Sequence, residues 1–233
     1  MICPVCRKES ANVMAINFIE RIEWARCSCG CIYQCDPKES DPSKEYVESY
    51  KQKKFYDTSS EYPVVTYFPL IEEMTYGRRF LEVDSIDPKV ARAAERRGWI
   101  SYVITKEKQE PPIRFIEDKF TDLNLPKEAK FDCIYSYHNL DKTLNFKEVI
   151  SKFHQSLNPT GVLFLACPDS EFVDELGVTQ FNHWYSDNKI IFSRKEIVKA
   201  LEFEGFSVVL ARANNSSRFI KNNDFHIIAQ RGL

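Results

Sequence analysis

The sequence predicts an α/β fold, a doubly wound and mostly parallel sheet over residues 78–233, with a small N-terminal metal-binding module at 1–40 and a helical linker or cap at 41–77. Three observations predict it. Six of the eight cysteines fall within the first 35 residues. From residue 79 short apolar runs alternate with segments of helical periodicity. The last two runs follow one another with a polar loop and no helix between them.

The composition sets bounds on these elements. With 233 residues, 43% hydrophobic, 28% charged and 13% aromatic, the chain suits one main core and a small appendage. No uncharged apolar run of about 18 residues exists, and MICPVCRKES lacks the apolar stretch of a signal peptide, so a cytoplasmic protein without membrane association is expected. The 32 Lys+Arg against 34 Asp+Glu leave a net charge of −2, which gives no support for nucleic acid as a partner.

The first element is the cysteine cluster Cys3, Cys6, Cys27, Cys29, Cys31 and Cys35. In a reducing compartment a Cys-x-x-Cys pair followed about twenty residues later by a second group reads as a closed, structural, tetrahedral zinc site of zinc-ribbon type. Cys3 and Cys6 form one knuckle; Cys29 with Gly30 forms the second, the glycine freeing backbone N–H groups to face sulfur. Cys27 is chosen as the fourth ligand on proximity, with Cys31 as the substitute. So short a module buries little, so the metal supplies most of its folding energy.

Residues 41–76 mix Lys, Glu and Tyr at helix-like spacing. Their KQKK run reads as a solvated helix face before it reads as a phosphate contact. The main body then opens with RFLEV as a strand and Ile86-Asp87-Pro88 as staple, N-cap and first helical proline, the helix stopping at Gly98. SYVIT and IRFIE are the second and third strands; FDCIYSY is apolar enough for the middle of a sheet. Asn145 and Glu148 suggest a capping box for a helix burying Phe146, Val149, Ile150, Phe153 and Leu157. GVLFLAC is the fifth strand, Ser193-x-x-Glu196 opens another helix that closes near Gly205, and FSVVLAR with DFHIIAQ forms an antiparallel pair. Sheets of this kind bind ligands beyond the carboxyl ends of their strands, where strand order reverses.

Four segments, in the right order, resemble the class I S-adenosylmethionine-dependent methyltransferases, a Rossmann-like family, and particularly its members with N-terminal zinc-binding knuckles. They are CPVC with CSCGCIYQCDP, RRFLEVDSIDPKVARAAERRGW, FDCIYSYHNLDKTLNFKEVISKFHQSLNPTGVLFLACPD and HWYSDNKIIFSRKEIVKALEFEGFSVV. The resemblance covers nearly the whole chain. It implies a transferase that uses S-adenosylmethionine, a small-molecule or macromolecular methyl acceptor, and structural zinc.

The resemblance also implies site residues. Glu82 keeps the acid of the cofactor loop, and Asp84, Ile86 and Pro88 stand at the family's three glycine positions, with Ser85 between them. Thr105 stands where the family carries an acid for the ribose hydroxyls. Glu117 and Asp118 match the adenine-contacting position, and Ser136, Tyr137 and His138 stand at the mouth of the fourth strand. Only seven glycines exist, and none lies in the cofactor loop. Each missing pair of charge-assisted hydrogen bonds costs on the order of 1.5 to 3 kcal/mol, roughly tenfold to a hundredfold in affinity. The cofactor site is therefore expected to be atypical and weakened. The alternative is a methyltransferase fold without catalysis that binds a protein partner.

His138 is a candidate general base, with a packing role as the other reading. His183 with Trp184 shapes an acceptor pocket or plugs the sheet edge. Glu82, Asp84 and Asp87 as a divalent-cation site, and Cys167 with His183 as nucleophile and base, are weaker readings; Asp87 is better explained as a cap and Cys167 as a buried thiol. No Walker-type loop is present, so nucleotide triphosphate hydrolysis has no support.

Overall fold

The computed structural model describes residues 1–9, 12–17, 22–37, 61–84, 88–105, 113–116, 125, 129–179, 181, 184, 187–214 and 223–232. The main sheet has seven strands in the order β10-β11-β8-β7-β4-β5-β6. They are β4 (Arg79–Val83), β5 (Ile100–Ile104), β6 (Arg114–Ile116), β7 (Phe131–Tyr137), β8 (Leu157–Pro168), β10 (Phe206–Ala213) and β11 (Asp224–Arg231). β6, β5, β4, β7 and β8 run parallel, whereas β11 returns antiparallel to β8 and pairs with β10. The predicted central strand FDCIYSY is indeed fourth of seven, and six of its seven residues are buried.

Alternation along the strands separates two cores. Leu81 and Val83 of β4 and Leu163, Leu165 and Cys167 of β8 face one side, where α3 (Phe146–Ser156) contributes Phe146, Val149, Ile150 and Phe153, and α5 (Arg194–Phe203) contributes Ile197 and Leu201. Phe80, Tyr135, Phe164 and Ile228 face the other side, against Tyr67, Phe68 and Ile71 of α1 (Glu61–Met74) and Val90, Ala91 and Ala94 of α2 (Lys89–Arg96). The helical part of the expected linker is α1; residues 41–60, with KQKK, lie outside the described residues.

Helix starts depart from the sequence expectation in detail. Asn145 precedes α3 as predicted, but its side chain makes no cap; its own N–H donates to the Thr143 hydroxyl at 3.1 Å. Ser193 precedes α5 in extended conformation, and its carbonyl rather than its hydroxyl accepts the Glu196 N–H at 3.0 Å. α2 begins one residue later than expected, because Pro88 has a ψ of 58°, outside the helical range. Asp87, its expected cap, lies outside the described residues. Gly98, with φ at +84°, takes the left-handed turn that ends this helix, as predicted.

The N-terminal module is built on β1 (Asn12–Asn17), β2 (Ile22–Arg26) and β3 (Ile32–Gln34), consecutive antiparallel neighbours. A fourth strand, β9 (Ile190–Ile191), comes from the main body and pairs with β3. It was not predicted. Trp24 and Ile32 of the module pack with Ile191 and with Phe172 and Val173 of α4 (Glu171–Leu176) in a satellite core. Among the described residues no helix is long and apolar enough to cross a membrane.

Candidate functional site at the carboxyl edge of the sheet

The strand order reverses between β4 and β7, because the chain winds outward from β4 through β5 to β6 and then returns to place β7 and β8 on the other side. Ligands of doubly wound sheets sit at such a switch point. Here each of the two strands ends in a non-glycine residue with left-handed backbone: Asp84 after β4 and His138 after β7, both at φ +52°. The amide of Asn139 donates to the Val83 carbonyl at 2.8 Å and ties the two strand ends together.

Glu82 lies two residues before this bend, on the strand. It is buried, and its Oε2 accepts the Ala91 N–H at 2.7 Å. The strand thus supplies the carboxylate that caps α2, satisfying a donor that a helix N-terminus leaves orphaned. That contact accounts for the acid as a helix cap rather than as part of a divalent-cation site. Thr105 follows β5 and is buried, with its N–H donating to the Ile116 carbonyl at 3.2 Å. Ser136 is buried at the end of β7, and its hydroxyl finds no hydrogen-bond partner. Glu82, Asp84, Thr105, Ser136, Tyr137 and His138 therefore collect along one edge. Ser85, Glu117, Asp118 and His183 lie outside the described residues.

Two residues absent from the sequence reading complete the site. β11 runs antiparallel to β8, so its first residues return to the same edge, with Asp224 paired to Pro168 and His226 to Ala166. Asp224 is fully buried. Its Oδ1 accepts the Asn214 amide at 3.0 Å, while its Oδ2 accepts the Tyr137 hydroxyl at 3.2 Å and lies 3.3 Å from His138 Nε2 and 3.8 Å from His226 Nε2. Burial alone pushes this carboxyl up, but the two imidazoles outweigh it and hold the group well below the usual carboxylate range. The His138 ring stacks on Tyr137 with centroids 4.3 Å apart and keeps 21% of its side chain exposed.

Further acids crowd the same end of the sheet. Asp141, in the short 3-10 turn Leu140–Lys142, is fully buried, no other described residue comes within hydrogen-bond geometry of its carboxylate oxygens, and burial raises its pKa. Asp169 follows β8, is fully buried, and is pushed up to about 6 by burial, although its Oδ1 accepts the Glu171 N–H at 3.1 Å. Cys167 is buried, and desolvation carries its thiol well above the ordinary range. It is a packing thiol, unsuited to act as a nucleophile. Trp184 packs edge-on against Trp24 and Phe181, with ring centroids at 5.4 and 5.1 Å, and its indole N–H donates to the Val178 carbonyl. These contacts place Trp184 in the satellite core.

A second constellation lies in the N-terminal module. The sulfurs of Cys3, Cys6, Cys27 and Cys29 all lie within 4.8 Å of one another, with Cys3 and Cys29 at 3.8 Å and Cys6 and Cys27 at 3.3 Å. Backbone N–H groups face them: those of Val5 and Cys6 toward Cys3, Lys8 toward Cys6, Cys29 toward Cys27 and Cys31 toward Cys29. Burial pushes the Cys27 thiol up, but the Cys29 N–H and the side chains of Cys6, Cys29 and Cys3 outweigh it and hold the group at about 7. The Gly30 N–H itself donates to the Cys27 carbonyl at 2.9 Å. Its use is a φ of +93°, which turns the Cys31 N–H toward Cys29, and Arg7, at φ +63°, stands in the same place in the first knuckle. Cys31 is buried beside Cys29 and stands outside this four-sulfur group, its sulfur accepting the Ser193 N–H at 3.3 Å. The donor set fits a soft, tetrahedral divalent cation.

Comparison with known proteins bears on the main body. A search of curated protein sequences finds no match. Among solved structures, the 1,6-didemethyltoxoflavin-N1-methyltransferase of Burkholderia thailandensis, solved with 1,6-didemethyltoxoflavin and S-adenosylhomocysteine, superposes with a TM-score of 0.64 at 13% identity, over 96% of this chain and 100% of that one. A complex of the Haloferax volcanii Trm112 methyltransferase activator with a methyltransferase gives 0.56 at 10% identity, over 82% of this chain and 96% of that one. The [4+2]-cyclase SpnF gives 0.52 at 14% identity, over 71% and 79%. These likenesses establish the fold, and the cyclase shows that the fold hosts other reactions. The methyltransferase-domain family matches residues 67–211, from α1 through β10, and the chain belongs to that family.

Proposed function

We propose that the protein is an S-adenosylmethionine-dependent methyltransferase with a weakened cofactor site, and that zinc bound by Cys3, Cys6, Cys27 and Cys29 holds its N-terminal module. The observation that carries the first part is the left-handed bend at Asp84 directly above Glu82. It is the backbone turn for which the family uses glycine, kept here by an aspartate, a residue that tolerates this conformation. When bound, S-adenosylmethionine supplies an electrophilic methyl group. Glu82, Asp84 and Thr105 line its side of the cleft, and Glu117 and Asp118 are proposed for the adenine end. Thr105 offers one hydroxyl where a carboxylate would accept two hydrogen bonds, which supports low affinity.

His138 is the proposed general base. It occupies the end of the strand neighbouring the cofactor bend, its ring retains solvent access, and the buried Asp224 faces it. His183 is proposed as a wall of the acceptor pocket, the acceptor being a small molecule or a macromolecule. A cytoplasmic location and a protein partner are part of the same reading, the latter supported by the structural neighbour that is solved with an activator.

Calorimetric titration of zinc-loaded protein with S-adenosylmethionine and S-adenosylhomocysteine tests this. Measurable binding below millimolar concentration is expected. Silence at millimolar ligand would favour a binding protein on a methyltransferase fold.

A further inference from the structure

Asp224 carries more than the fold requires. A fully buried carboxylate is costly to ionise unless partners repay its desolvation, and a neutral residue would fill the same space without that cost. Yet Asp224 is placed so that its Oδ2 meets three polar groups, Tyr137, His138 and His226, while Asn214 fixes its Oδ1. His226 is itself buried behind the carboxylate, its Nε2 directed at Oδ2 without reaching hydrogen-bond distance. Of the two imidazoles, His138 is the one that reaches the cleft. Its left-handed backbone, a costly conformation for histidine, presents the ring to Asp224.

We propose that Asp224 is the positioning residue that fixes His138 as a proton acceptor, with His226 steadying the carboxylate from behind. The proposal rests on the methyltransferase reading and deepens it. An ionised Asp224 accepts the Nε2–H of His138, which places the ring lone pair on Nδ1. A base prepared in this way suits an acceptor whose nucleophilic atom carries a dissociable proton, as a hydroxyl does. With the cofactor bound, the acceptor O–H bond would break and its proton form the Nδ1–H bond of an imidazolium, while the oxygen's electron pair would bond the methyl carbon as the methyl–sulfur bond breaks and its pair returns to sulfur, leaving the neutral thioether. Asp224 stabilises that cation, and the exposed ring edge returns the proton to water after turnover. Asp141 is a further charged group close enough to act on His138.

The hydrogen bond from Asn214 makes the test sharp. In Asp224→Asn the oxygen is retained at Oδ1 by the Asn214 amide, so the new NH2 group faces His138 and donates to Nε2. The tautomer must invert. Long-range proton–nitrogen spectra of uniformly nitrogen-15-labelled, zinc-loaded full-length protein read this directly, with His138 assigned by His138→Gln. Wild type is expected to show a protonated Nε2 and a bare Nδ1 in the neutral ring, Asp224→Asn the reverse, and Asp169→Asn the wild-type pattern. A wild-type His138 protonated on Nδ1, or an Asp224→Asn spectrum unchanged from wild type, overturns the proposal. Should Asp224→Asn fail to fold, the wild-type tautomer alone decides. No cofactor is present in these samples, so failure of S-adenosylmethionine binding is seen separately by calorimetry.

Discussion

Asp84 and His138 have the same left-handed backbone, each standing just beyond the end of one of two hydrogen-bonded parallel strands in which Val83 pairs with Ser136. Two such bends side by side open the edge of the sheet at the switch point, and neither uses glycine. Strain of this kind persists where the surrounding structure holds it in place, here through the Asn139 amide on the Val83 carbonyl and the Glu82 carboxylate on α2. Asp84→Val, β-branched at positive φ, is expected to lose about 1–2 kcal/mol in urea unfolding, while Asp84→Gly stays within about 1 kcal/mol of wild type. Equal losses in both variants would mean that the side chain, not the backbone, matters at this position.

The proposed weakness of the cofactor site is assigned to Thr105 and Asp84. Thr105→Asp restores a bidentate acceptor, and Asp84→Gly removes a carboxylate from the bend. The double variant is expected to bind S-adenosylmethionine tenfold to a hundredfold more tightly, the equivalent of roughly 1.5–3 kcal/mol. A calorimetric constant unchanged from wild type would remove both residues from the account of affinity.

The two candidates for the fourth zinc ligand part company in the geometry. Cys27 faces the other three sulfurs, whereas the Cys31 sulfur accepts the Ser193 N–H. Metal analysis of protein never exposed to chelator is expected to give about one zinc per chain for wild type and for Cys31→Ser, and much less for Cys27→Ser. On the same proposal, chelation is expected to unfold the module, because binding free energy at a structural zinc site is folding free energy. Zinc retained by Cys27→Ser and lost by Cys31→Ser would exchange their roles.

Asp169 gives the protein a pH dependence with a definite sign. Its carboxyl is raised from 3.8 to about 6, chiefly by burial, so the native state keeps a proton that the unfolded chain has already released. Between about pH 4 and pH 6 the folded form binds more protons, and stability falls as pH rises through this window, by about 3 kcal/mol in all. Asp169→Asn is expected to be more stable than wild type by about 1–3 kcal/mol near pH 7 and equal to it near pH 4. Urea unfolding at the two pH values checks this, and a difference independent of pH contradicts it.

Much of the fold was legible because apolar runs bounded by Gly and Pro at Gly98, Pro111, Pro112 and Gly161 leave few other readings. The clustering of Cys3, Cys6, Cys27 and Cys29 was legible for a similar reason, a Cys-x-x-Cys pair being followed about twenty residues later by a second group. Asp224 and His226 were not. Periodicity assigns the alternate residues of DFHIIAQ to a face but not to an end of the sheet, and only the antiparallel return of β11 beside β8 brings them to His138. The two residues of β9 are too short a run to register at all, and they become a strand by pairing with the module. The caps went astray because a suitable side chain at Asn145 or Ser193 does not show which donor it will meet.

The borrowed strand β9 ties the N-terminal module to the main body. Ile190 and Ile191 find their backbone partners on Tyr33 and Ile32, the Gln34 amide grips the Asn188 carbonyl at 2.6 Å, and the next residue, Lys189, donates its N–H to Asp141 beside the cleft. Shearing off the first 37 residues would strip this segment to a bare, sticky seam. The N-terminal domain thus serves as a buttress, and an oxidant that damages its sulfurs would slacken the wall of a distant cleft.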